Sequence, residues 1–220
     1  MRVRDVLRIS ERRQGQLTRV MELVLVGVFV LGLVRGSIGT MVNAIVALAV
    51  TFLPALLERD YDIPMDAGLT LWITSAVFLH AVGTLGPYQS RAMVMGIGWD
   101  SVTHTLSASL VAAIGYATTR AIDQHSDDVE LPPKFMFVFI LLFVMAFGVV
   151  WEVLEFGVAG LASIVGVDSV LTQYGLEDTM RDLMFDTVGG VIVAIWGTAY
   201  LTDVVGALED QLDGRARRSD

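Results

Sequence analysis

The chain contains no cysteine. Disulfides, thiolate nucleophiles and zinc–thiolate sites are therefore excluded, and the redox compartment is left open. Lysine is almost absent: Lys134 is the single example, and the remaining basic residues are arginines. Outside the N-terminal tail there is no basic face, so nucleic acid is not an expected partner. No small-residue cleavage site follows the first apolar run, and a cleaved signal peptide is not expected. No internal repeat of the kind common in transporters is visible. Charge as a whole is sparse. Of 220 residues 18% are charged and 54% hydrophobic, with a mean hydropathy of +0.63. These values point to an integral membrane protein. The charge that is present is unbalanced, at −9 net. Much of the acid falls in expected loops and tails, such as Asp123, Asp127, Asp128, Glu130, Glu209, Asp210 and Asp213. An acidic, lysine-poor exposed surface suits a halophilic source, because high salt screens the self-repulsion.

The fold class expected is all-α, a polytopic membrane helix bundle with about six transmembrane helices. Residues 1–19 read as a basic amphipathic cytoplasmic segment lying on anionic headgroups, with Val3, Val6 and Leu7 near one face. A transmembrane domain covers 20–205, and 206–220 form a cytoplasmic tail. The spans expected are Val20–Val34, Ile38–Leu57, Leu69–Gly86, Trp99–Thr119, Phe135–Ser163 and Asp186–Val205, the last preceded by helical turns from Glu177. The fourth is rich in Ser, Thr, Ala and Gly, a composition that packs against other helices. The fifth is longer than a bilayer requires. With both termini inside, cytoplasmic segments hold twelve Lys and Arg residues and the outer ones hold Arg35, Arg91 and Arg181. That bias places the protein in the cell membrane, multi-pass, with both termini cytoplasmic.

The polar residues inside this apolar frame are few and grouped. Trp151-Glu152-Val153-Leu154-Glu155 ends a long apolar run. Asp178, Asp182 and Asp186 follow at four-residue intervals before Gly189-Gly190, and Asp100 and His104 are also four apart. Such spacings put side chains on one helix face. Under the expected topology all of these, with His80, lie at one depth in the outer leaflet. Carboxylates in hydrocarbon face the bundle interior and mark functional sites. Each also has a plainer reading. Asp100 could cap a helix, Asp178 and Asp182 could answer a helix dipole, His80 could be a packed interior histidine, and His125 a solvated loop residue.

Several carboxylates in low dielectric cannot all ionise unaided. A divalent metal ion would resolve the conflict, as would shared protons or pairing with Arg181. The candidate ligands are Glu152, Glu155, Asp178, Asp182, Asp186, His104 and His80. His104, Glu152 and Asp100 are the candidate catalytic groups, Asp100 by orienting His104 or by binding metal itself. No Glu-x-x-His pair of the di-iron bundle type is present.

At these residues the sequence resembles two families of small membrane proteins. The likeness to the YjdF-like family, whose function is not established, covers about His80 to Gly190. It rests on the His80-x-x-Gly83 region with Tyr88, on Asp100-x-x-x-His104, on Glu152-x-x-Glu155, and on Tyr174-Gly175 with Asp178 and Asp182. More distantly, Asp100-Ser101-x-x-His104, Glu152-x-x-Glu155 and Asp182-x-x-x-Asp186-x-x-Gly189 resemble the VanZ-like pattern associated with glycopeptide resistance. Ser101, Glu155 and Asp186 stand where that pattern has Lys, Gln and Asn, so the site here is more acidic. Neither resemblance implies a defined reaction.

The functional expectation is a metal-assisted hydrolase or transferase acting on a lipid or lipid-linked headgroup. The alternatives are a cation or proton-coupled transporter and a non-catalytic binding or assembly protein. A one-sided pocket favours an enzyme or receptor; a polar path continuing across the membrane favours transport.

Overall fold

A computed structural model describes residues 10–89, 97–126, 128–171 and 173–219. The expectations for residues 1–9 and for Arg91 and Asp127 lie outside this set. The described chain is helical: α1 Glu11–Arg35, α2 Ile38–Thr51, α3 Leu53–Tyr61, α4 Ala67–Gly83, a 3-10 turn at Pro87–Gln89, α5 Trp99–His125, α6 Pro133–Val165, α7 Leu176–Tyr200 and α8 Thr202–Ser219. It is a helical membrane bundle.

Local chemistry sets most boundaries. Ser10, Ser37 and Asp66 cap α1, α2 and α4 through their side-chain oxygens. Gly36 and Gly166 close α1 and α6 in the left-handed region, at φ 65° and 76°. Gly175 opens α7 at φ 110°, a conformation that disfavours any side chain. Three differences from the expected spans follow from the same rules. Residues 11–19 are continuous with the first span, because Ser10 starts that helix. The second apolar stretch breaks at Phe52, where Pro54 in the first turn of α3 supplies no amide to the preceding turn. The last stretch stops at Tyr200, and α8 turns away from α7 by 81°. What reads as a tail is thus the amphipathic α8, and it packs back on α5. Val205 and Leu201 lie in the same core as Tyr116 and Ala117, with Leu208 and Leu212 against it. His125 is exposed, as expected, but it belongs to a helix and not to the loop. It ends α5, and its Nδ1 meets Asp213 Oδ1 at 2.5 Å.

Among the described residues three helices are long and apolar enough to cross a membrane: Glu11–Arg35, Ile38–Tyr61 and Pro133–Val165. A fourth is reached if the bent α7–α8 pair counts as one span, and α4 is a shorter apolar helix of 17 residues. α5 is not among them for a physical reason. Its Ser101, Thr103 and Ser109 are buried against protein, so its composition answers to helix neighbours and not to lipid.

The helices pack as two groups. α1, α2 and α4 share a core at Leu25, Ala47 and Ala81. α5, α6, α7 and α8 share another, with Ala112, Ile140, Val144 and Val193 at its centre. The groups join chiefly through α4 and α5. The most extensive packing is α5 on α7. Gly189 makes that crossing possible: a Cβ there would lie 2.4 Å from Thr105 O and 2.9 Å from Ser109 N.

Candidate functional site

Chain direction alternates through the bundle. The start of α2, the end of α4, the start of α5, the end of α6 and the start of α7 therefore lie at one end, and Asp100, Glu152, Glu155, Asp178, Asp182 and Asp186 are found there. His104 is the centre. Its side chain is 12% exposed, and Asp182 and Asp186 beside it are 2% and 7% exposed. Its Nδ1 lies 3.1 Å from Asp186 Oδ1, a hydrogen bond. That bond assigns the Nδ1 proton to the His104–Asp186 pair and turns the Nε2 lone pair the other way. Nε2 then faces Asp100 Oδ1 at 3.7 Å and Asp182 Oδ2 at 3.8 Å. Both distances exceed the range of a hydrogen bond. The three donor atoms lie within 4.8 Å of one another.

The other acids surround this triad. Glu152 and Glu155 are buried in α6. Glu152 Oε2 accepts from Thr179 Oγ1 at 2.7 Å, and Glu155 Oε1 accepts from Trp151 Nε1 at 3.0 Å. Glu152 and Asp178 lie within electrostatic range of both Asp100 and Asp182. Among the described residues, Glu152 Oε1 and Asp182 Oδ1 are buried carboxylate oxygens that find no hydrogen-bond partner. Asp178 sits at the rim, where its Oδ2 accepts from Tyr174 N at 3.1 Å and steadies the approach to α7. Asp100 is no cap: the N-cap of α5 is Gly98, with no side-chain bond, and Asp100 lies within the first turn. Arg181 does not enter the cluster. It pairs along α7 with the exposed Glu177 at 3.3 Å.

His80 belongs to a second, linked network. Asn43 Nδ2 donates to Gly39 O at 2.9 Å and Val170 O at 3.0 Å, which leaves Asn43 Oδ1 as an acceptor. His80 Nε2 lies 3.1 Å from that oxygen and therefore carries the proton. His80 Nδ1 is left to accept from the Tyr88 hydroxyl at 2.8 Å. Tyr88 is on the 3-10 turn between α4 and α5, where burial pushes its phenol up and keeps it a donor. With both ring nitrogens engaged, His80 stands beside the triad and outside it. Close packing supports both networks. A Cβ at Gly83 would fall 2.3 Å from the Tyr88 ring, and one at Gly148 would fall 2.5 Å from Asp186 Oδ2.

Two chambers meet at these histidines. A polar one of about 240 Å³ is lined by Thr40, Thr84, Tyr88, Asp100, Glu155 and Tyr174, among others. An apolar one of about 480 Å³ extends from it along Val46, Ala76, Val111, Val144 and Phe147. His80, His104, Asn43, Val170 and Leu171 border both. Beyond the chambers the α5–α8 group has the apolar core of Ala112, Ile140 and Val193, while Gln14, Thr18, Thr51 and Thr74 are buried polar residues of α1, α2 and α4.

Asn43, Thr179 and Trp151 escaped the sequence reading as site residues. Asn43 carried a usable signal, a carboxamide within an otherwise apolar run. Thr179 and the indole of Trp151 carried none, since each gains its role from a contact that only packing makes.

The profile of the DUF2238 family, described as "Predicted membrane protein", matches residues 17–203. An uncharacterised protein of Thermotoga maritima is 27% identical over 186 residues, which cover 82% of this chain and 88% of its own length. No solved structure matches. The likeness to the VanZ-like pattern rests on its three short motifs alone.

Proposed function

The chain belongs to the DUF2238 family of predicted membrane proteins, and from that premise we propose that it is a membrane-embedded, metal-dependent hydrolase or transferase acting on the polar head of a lipid or lipid-linked substrate. A single observation carries the reading. His104 Nε2 faces two carboxylate oxygens at 3.7 and 3.8 Å, too far for hydrogen bonds, and the three donors lie within 4.8 Å of one another. Ligand–metal distances of about 2.0–2.2 Å set neighbouring donors roughly 3–3.5 Å apart, so a slight contraction closes this group on a cation. The donors are hard oxygens and one imidazole, a set suited to Mg, Mn, Zn or Fe. Asp186 holds the far nitrogen of His104, as outer carboxylates do for metal-bound histidines.

Asp100, His104 and Asp182 are the ligands in this reading. A bound ion would polarise an ester or phosphoester oxygen and activate water. Glu152 is the proton acceptor: Thr179 holds one of its oxygens, and the other, Oε1, is buried and free. Among the described residues no lysine or arginine lines either chamber, so in this reading a phosphate-bearing head would have the ion as its counter-charge. The apolar core of α5–α8 behind His104 supports a one-sided site over a transport path through that group. The alternating course of α1, α2–α3, α4, α5, α6 and α7 supports six crossings, and the charge bias supports a site facing the outer leaflet with both termini cytoplasmic.

The test is elemental metal content of the purified protein, repeated on Asp182→Asn and Glu152→Gln. Stoichiometric metal is expected in wild type, a large loss in Asp182→Asn, and retention in Glu152→Gln. Wild type that binds no divalent ion, and whose melting temperature a chelator leaves unchanged at neutral pH, would refute the metal reading and favour a proton-sharing structural core.

A further inference from the structure

The proposed chemistry concerns a headgroup, and, resting on that reading, the shape of the apolar chamber bears on what the head is attached to. This chamber of about 480 Å³ is in the size range of ligand pockets, about 300–1,000 Å³. Water does not fill such a space readily, because a buried water needs two to four polar partners and the wall is mostly hydrocarbon. Left empty, the wall loses its dispersion contacts on one side. In a bilayer the available filler is whatever borders the opening.

The opening has a definite place. α2 and α6 both line the chamber, and among the described residues they have no extensive contact with one another. Val46 of α2 and Phe147 of α6 are half exposed, at 55% and 51%. Towards the end of the bundle the chamber is covered. Asn43 ties α2 to Val170 of the α6–α7 loop, and Gly39 lies so close to Ser169 that a Cβ would meet its carbonyl oxygen at 3.2 Å. The chamber is thus roofed by a loop and open sideways, at the level where apolar residues face outward. At its closed end it reaches His104 and Asp186.

We infer that the ligand is a membrane amphiphile whose hydrocarbon chain passes sideways between α2 and α6 into the apolar chamber, which brings its polar head to the acid–histidine chamber. The continuity of the two chambers at His80 and His104 matches the two halves of such a molecule. Moving a chain from lipid into the protein gains little hydrophobic free energy, since lipid tails are as apolar as the chamber wall. Selection among amphiphiles therefore rests with the head, and the chamber's part is to orient the chain.

The probe is a long-chain alcohol with a diazirine at mid-chain, photolysed with the full-length protein in lipid nanodiscs. A water-soluble diazirine serves as the opposing reagent. The chain probe is expected to label the Ser107–Val111 segment inside the chamber, and the soluble one is not. Ser107→Trp fills the chamber and should abolish that labelling. Val46→Trp obstructs the opening from a half-exposed position, where folding is little affected, and should do the same. Val153→Trp, on a lipid-facing part of α6, should leave it unchanged. Labelling confined to outward positions such as Val153, or labelling of Ser107–Val111 by the soluble reagent, would overturn the inference. Metal content is measured on the same preparations. Lost chain labelling with metal retained removes this inference alone, and chain labelling without metal removes the metal reading alone.

Discussion

Gly189→Ala tests the geometry on which the whole site depends. Gly189 of α7 lies against the backbone of α5, and an added methyl would sit 2.4 Å from Thr105 O and 2.9 Å from Ser109 N. Neither atom can rotate away, because both belong to the helix backbone. Side-chain carbons do not approach closer than 3.0 Å, so the helices must part by at least about 0.6 Å at this point. Overpacking of this kind typically costs about 1–3 kcal/mol, and for a chain of this size each kcal/mol lowers the melting temperature by about 2–4 °C. A decrease of roughly 2–12 °C is expected. The same displacement separates His104 on α5 from Asp182 and Asp186 on α7, and sites lose function when groups drift by about 0.5 Å. Gly189→Ala should therefore also weaken divalent-cation affinity. Gly190→Ala is the control. Its methyl would meet only the side chains of Leu141 and Val144, at 3.3 Å or more, and alanine favours helix by up to about 1 kcal/mol over glycine. It should melt at or above wild type. Thermal unfolding in detergent, followed by circular dichroism, with parallel Mn²⁺ titration, gives both readouts. Equal melting temperatures for Gly189→Ala and Gly190→Ala would refute the close α5–α7 crossing.

Other expectations follow from single contacts. Asp186→Asn keeps an acceptor for His104 Nδ1 but removes the charge, and loss of such an outer partner lowers metal affinity by about 10–100-fold, measurable by Mn²⁺ titration. Gly148→Ala should share that phenotype, because its methyl displaces Asp186 Oδ2 from 2.5 Å; unchanged affinity in both variants would deny Asp186 the role of holding His104. Asn43→Leu leaves His80 Nε2 and Val170 O without their partner, at about 1–3 kcal/mol for a buried unsatisfied group, and should increase proteolysis or hydrogen exchange of the 168–171 loop. With no native cysteine as background, Ser169→Cys should react with an impermeant thiol reagent from outside intact cells and Ser219→Cys should not; the opposite result reverses the orientation.

How much of this was legible in the residues alone follows a physical divide. Helices, their approximate limits and the membrane setting are local matters of hydropathy, capping and glycine, and they could be read from the chain. So could the chemistry of the site. Carboxylates at three- and four-residue spacings must share a helix face, and apolar surroundings press them inward wherever that face goes. Local pattern could not say which acids touch. Asp100, His104 and Asp182 come from helices far apart in the chain, and their distances depend on how closely α5 approaches α7, which Gly189 decides by lacking a side chain. Expected depth in the membrane ranked His80 with the ligands, yet both of its nitrogens are taken by Asn43 and Tyr88, partners that only packing supplies. The C-terminal segment read as a tail because its charge is high, and it became α8 because Leu201, Val205, Leu208 and Leu212 found α5 to cover them. The apolar chamber has no sequence signature at all. It exists where α2 and α6 fail to meet, and a gap between two helices is a property of neither.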